Sequence, residues 1–121
     1  MIISIKYRSM NPPGGLDARM EDRLIALSKA ASITDASILI EHLAGAPLTY
    51  RTELSVSVPG ADFQIQAFDS SAEFSFNRAL AMLEKRLRLR AMQRARQVID
   101  AGMQLARSTT KATANPTRMT G

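Results

Sequence analysis

Cysteine and tryptophan are absent from this chain of 121 residues, and histidine occurs once. Without cysteine there is no disulfide and no thiolate chemistry, which fits a reducing compartment and a cytoplasmic location. A single histidine, His42, leaves most metal centres and Ser-His-Asp arrangements short of the groups they need. No apolar run approaches the ~18 residues of a membrane span. The N-terminal Met-Ile-Ile-Ser-Ile-Lys-Tyr-Arg alternates, and so lacks the basic flank and long apolar core of a signal peptide. Aromatic residues are limited to two Tyr and four Phe, but 45% of the chain is hydrophobic, enough for one small core and one domain. Neither a cofactor nor a membrane partner is expected, and the chain does not read as an enzyme.

What is plentiful is positive charge. The chain carries 16 Lys/Arg against 11 Asp/Glu, a formal +5. The excess is concentrated. From Phe74 to Arg107 there are eight bases (positions 78, 85, 86, 88, 90, 94, 96 and 107) against Glu84 and Asp100, a net +6 that leaves the other 87 residues at −1. A near-neutral body with one cationic helix is the footprint of a protein that meets a polyanion with one face.

The periodicity gives the elements. Ile3, Ile5 and Tyr7 alternate with Ser4, Lys6 and Arg8 as in a strand with one wet face, and Asn11-Pro12-Pro13-Gly14-Gly15 breaks it. Leu16, Met20, Leu24, Leu27 and Ala31 then recur at spacings of three and four, one side of a helix. Its acids (Asp17, Glu21, Asp22) come early and Lys29 late, as the helix dipole favours. Ile38-Leu39-Ile40 is a short strand buried on at least one face. After a turn at Gly45-Ala46-Pro47, Thr52, Leu54, Val56 and Val58 alternate with Arg51, Glu53, Ser55 and Ser57. Pro59-Gly60 reverses the chain into Phe63, Ile65 and Ala67, and Asp69-Ser70-Ser71 offers N-cap side chains for a second helix. The order is β-α-β-β-β-α, an α+β fold. One wet face per strand predicts two helices packed on one face of a four-stranded sheet, with the first two strands parallel through a right-handed crossover.

Other candidate chemistry reads as structure. His42 sits at a strand end as a surface imidazole. Glu21 and Asp22 are adjacent and do not share a helix face, and Asp62 and Asp69 suit turn and cap positions. Pro13-Gly14-Gly15 lacks the Gly-Lys-Ser/Thr of a phosphate-binding loop. Met20, Met82, Met92 and Met103 are scattered.

On a wheel of about 100° per residue, Phe76, Leu80, Leu83 and Leu87 fall within about 60° of one another. Arg78, Lys85 and Arg96 lie nearly opposite, and Arg86 and Arg88 on the flanks. Arg90 and Arg94 fall on the apolar stripe itself. Burying two unpaired guanidinium groups is too costly for a small domain, so both must lie past the sheet or meet acids or phosphates. This divides the chain into a domain over 1–90, a projecting continuation of the helix over 91–107, and a polar tail over 108–121 with nothing to bury, expected to be disordered.

The element order, Val58-Pro59-Gly60 between two alternating strands and the closing Ala79-Leu80-x-x-Leu83-Glu84-Lys85-Arg86-Leu87 resemble the ribosome hibernation-promoting and ribosome-associated inhibitor family. The resemblance spans roughly residues 2–90 and implies an architecture similar to double-stranded-RNA-binding domains. It further implies binding to the small ribosomal subunit and a block of translation in resting or stressed cells. The rRNA contacts it implies are Arg78, Lys85, Arg86, Arg88 and Arg90 on the second helix, with Arg94 beyond them, and Arg19, Arg23 and Lys29 on the first. Phosphate contacts of this kind give affinity without sequence choice. The competing reading is a protein-interaction or homodimerisation module that uses the C-terminal helix, with Ala91, Ala95, Val98 and Ile99 against an acidic partner or a second copy and no ribosome binding.

Overall fold

Strand β1 (Ile2–Arg8) alternates along its length, with Ile3, Ile5 and Tyr7 half-buried and the residues between them exposed. Helix α1 (Leu16–Ala31) follows and buries Leu16, Met20 and Leu24. Strands β2 (Asp35–His42), β3 (Tyr50–Val58) and β4 (Ala61–Asp69) come next, and helix α2 (Ala72–Thr120) closes the order. The structure, a computed structural model, describes residues 1–45 and 49–120, with Val98 and 100–120 described by their helical backbone alone. Ala46 and Pro47 of the expected turn and Gly121 of the expected tail lie outside the described residues, and the backbone over 108–120, expected to be disordered, is described as helix.

The sheet runs β1-β2-β3-β4, with β1 parallel to β2 and the other pairs antiparallel. The parallel pair is the one joined through a helix, since parallel neighbours need a crossover. Register aligns the apolar alternations into one face: Ile5 opposes Ile38, Ile38 opposes Leu54, and Leu54 opposes Ile65. Both helices cover that face, because Leu16, Met20 and Leu24 of α1 share one core with Phe76, Ala79, Leu80 and Leu83 of α2. Each of the larger side chains contributes roughly 1.5–3 kcal/mol by leaving water. The other face of the sheet carries Lys6, Glu41, Arg51, Glu53, Gln64 and Gln66; there Arg51 is half-buried and its guanidinium meets Glu41 at 2.7 Å.

Two local devices set the long helix in place. At the β3–β4 hairpin, Val58 pairs with Ala61 across Pro59-Gly60, and Gly60 sits at φ 83. Proline followed by a residue in that left-handed region is the type II turn pattern, which glycine adopts without a Cβ clash. At the start of α2 the Ser71 hydroxyl accepts the Phe74 N–H at 3.1 Å, an N-cap from the cluster the sequence singles out. One turn on, the fully buried Ser75 hydroxyl donates to the Ala72 carbonyl at 2.8 Å and meets the equally buried Thr52 hydroxyl of β3 at 2.7 Å. The helix start is thereby tied to the centre of the sheet.

The chain divides into two compact units, Met1–Leu87 and Arg88–Gly121. The first contains the sheet, α1 and the opening turns of α2. The second is the rest of α2.

Candidate nucleic-acid interface

The cations singled out by sequence separate into two groups once their neighbours are known. Arg19, on the exposed side of α1, grips Glu73 of α2 with two hydrogen bonds, at 2.9 and 3.1 Å. Arg23, one turn later, donates to the side-chain oxygen of Asn77. These two links run between the helices and fix their spacing. Arg78 reaches back to Asp69 at 3.6 Å, at the end of β4. Arg86 donates to the backbone carbonyl of Gln64 in β4 at 3.2 Å. Four of the nine candidates are therefore employed within the first unit, and such exposed pairs contribute only ~0.2–1 kcal/mol each.

The others differ. Lys29, Lys85, Arg88 and Arg94 are exposed, and among the described residues no ion pair or hydrogen bond holds them. Arg90 is half-buried. Arg96, which the wheel places among the cations without assigning it a contact, is exposed as well and belongs with this group. Sequence alone does not separate the groups, because Arg19 and Arg23 find their partners 54 residues away. A phosphate would have to displace an acid from Arg19 or Arg78, whereas at Lys85, Arg88, Arg94 and Arg96 it displaces only water.

The charge division follows the structural one. The first unit has nine Lys/Arg against ten Asp/Glu, a net −1; the second has seven against Asp100 alone, a net +6. Leu89, Met92 and Ile99 of the second unit are exposed as well, at 48%, 61% and 61%.

The remaining features of the first unit offer less chemistry. A cleft of about 420 Å³ beside the start of α2 is lined by Met10, Leu16 and Tyr50 and by the Arg19–Glu73 pair, whose charges already satisfy each other. His42 is exposed and leans on Tyr50, ring centres 4.9 Å apart. Tyr7 donates to Asp17; its burial first, then that hydrogen bond and the adjacent negative charge, raise its pKa well above the ordinary phenol value. Among the described residues no cluster of His, Asp or Glu could hold a metal ion, and no helix is long and apolar enough to cross a membrane.

No protein-family model matches the chain, and no curated protein does. Solved structures do match its fold. A ribosomal subunit interface protein from Coxiella burnetii superposes with a TM-score of 0.65 at 17% identity, covering 76% of this chain and 99% of that one. The N-terminal domain of Protein Y from Thermus thermophilus gives 0.61 at 21% identity, covering 72% of this chain and 96% of that domain. The β-α-β-β-β-α architecture is thus one these proteins share. They are matched almost end to end, yet 24% and 28% of this chain is left over. That remainder is close to the share of the second unit, 34 of 121 residues.

Proposed function

We propose that this is a non-catalytic ribosome-associated protein of the hibernation type, which meets small-subunit rRNA phosphates through the basic residues of α2 and thereby restrains translation. One observation carries the reading: the chain has the fold of a ribosomal subunit interface protein over almost that protein's whole length. The family resemblance of Val58-Pro59-Gly60 and of the closing helix points the same way. The physical chemistry supports it. Exposed lysine and arginine heads release condensed counterions when they reach phosphates, and a helix on a sheet can recognise folded RNA by shape without reading bases. A cytoplasmic location follows from such a partner.

Co-sedimentation with purified ribosomes over a salt series tests this. The full chain should pellet at low salt, and the logarithm of its affinity should fall linearly with that of salt, because each neutralised phosphate adds roughly 0.7–0.9 to the slope. Lys85→Glu with Arg88→Glu should abolish pelleting while leaving the melting curve unchanged, since neither side chain holds a partner among the described residues. A wild-type chain that stays in the supernatant at low salt, or a double variant that still pellets at moderate salt, overturns the reading.

A further inference from the structure

The second unit has a feature of its own: its cations point two ways. At about 100° per residue, and taking Arg88 as zero, Arg96 lies about 80° round the helix while Arg90 and Arg94 lie about 200° and 240° round. The mid-directions of the two pairs are opposed. Along the axis, Arg88 and Arg96 are about 12 Å apart, and Arg94 falls between them. Arg88, Arg94 and Arg96 are all exposed. A helix meant to lie flat on one anionic surface gathers its cations on one side and its apolar residues on the other. This one does not.

The exposed apolar residues sharpen the choice of occupant. Leu89, Met92 and Ile99 fall about 100°, 40° and 20° round from Arg88, interleaved with Arg88 and Arg96. A second copy packed along that stripe would bring guanidinium groups against guanidinium groups, which is destabilising. A membrane surface would satisfy one side and strand Arg94. A polyanion with two strands satisfies both sides.

We infer that Arg88–Ile99 is a separate RNA-binding element that lies between two facing phosphate strands of folded RNA, with Arg88 and Arg96 on one strand and Arg94 on the other. The inference rests on the reading above that the partner is RNA. It adds a contact made by the second unit, which is close in size to what the matched structures leave over. The mixed side, with Leu89 and Met92 beside its arginines, offers apolar surface to sugars and unstacked bases.

The test uses the full chain with two probes, an RNA hairpin whose deep groove is widened by an internal bulge and an unstructured single strand of the same length. Arg88→Gln with Arg96→Gln removes one side and Arg94→Gln the other; glutamine keeps the helix, being nearly as good a helix former as arginine. On the hairpin, the first variant should lower the salt slope by about 2 and the second by about 1, and the losses should add. On the single strand, which engages one side at a time, either variant alone should have little effect and only their combination should abolish binding. Equal losses on both probes, or loss from only one variant, would mean a one-sided contact and overturn the proposal. So would unchanged RNA binding by all variants, with self-association at high protein concentration then identifying a second copy as the occupant. If ribosomes do not pellet the wild-type chain but the hairpin pattern holds, the ribosomal reading fails while the two-sided element stands.

Discussion

Leu83 and Leu89 are the same residue six positions apart on α2, and they belong to different kinds of protein. Leu83 is fully buried in the first unit, whereas Leu89 in the second is 48% exposed. Around Leu83 the neighbours are apolar and drawn from the sheet and both helices. Around Leu89 the sequence is Arg88-Leu-Arg90, and among the described residues every buried apolar side chain lies between Leu16 and Leu83. The first unit keeps its charges in balance and spends several arginines on internal links. The second has almost no acid to pair with. One unit is stabilised by what it buries, and the other is suited to what it can meet.

The comparison breaks most visibly under truncation. Leu83→Ala should destabilise the fold by ~2–5 kcal/mol in a chemical denaturation experiment, whereas Leu89→Ala should fall within about 0.5 kcal/mol of wild type. Similar losses at both positions would mean that the core extends into the second unit. A smaller effect is expected at the buried hydroxyl pair. Ser75→Ala removes the partner of the Thr52 hydroxyl and leaves that group unsatisfied at zero exposure, at a cost of roughly 1–3 kcal/mol. Thr52→Val should cost less, because Ser75 retains the Ala72 carbonyl. The smallest effect is pH-dependent. Since folding raises the Tyr7 pKa, its contribution is fully present below the ordinary phenol pKa of about 10 and is lost as pH rises beyond it. Tyr7→Phe should therefore flatten the alkaline limb of a stability-against-pH curve, and at neutral pH cost only the roughly 0.5–1.5 kcal/mol of the hydrogen bond to Asp17.

Much of the first unit is legible from local pattern. Strands with one wet face announce themselves by alternation, and Leu54, Val56, Val58 and Ile65 are buried where alternation puts them, with Glu53, Gln64 and Gln66 exposed. The stripe through Phe76, Leu80 and Leu83 is equally plain. What pattern does not reveal is pairing across the fold. Thr52 and Ser75 read as a polar intrusion on apolar faces until each is seen to be the other's partner, 23 residues apart. The same holds for the candidate site. Charge segregation singles out α2, but the candidate set counts Arg19, Arg23, Arg78 and Arg86 alongside Lys85, Arg88 and Arg94. Glu73, Asn77, Asp69 and the Gln64 carbonyl, which engage the first four, come near only on folding.

The Arg86–Gln64 contact has a consequence apart from any ligand. Strand β4 is an outer strand of the sheet, with β3 as its only neighbour among the described residues. Counting from the Val58–Ala61 pair, Gln64 stands opposite Ser55, where the alternating ladder of an antiparallel hairpin turns backbone groups outward. Such outward carbonyls are docking points for a foreign strand, and a row of them can seed sheet-to-sheet aggregation. Arg86 occupies one of them with a charged group, so an incoming strand would have to dislodge a guanidinium and lie against its charge. Helix α2 thus guards its own sheet against growing by one more strand.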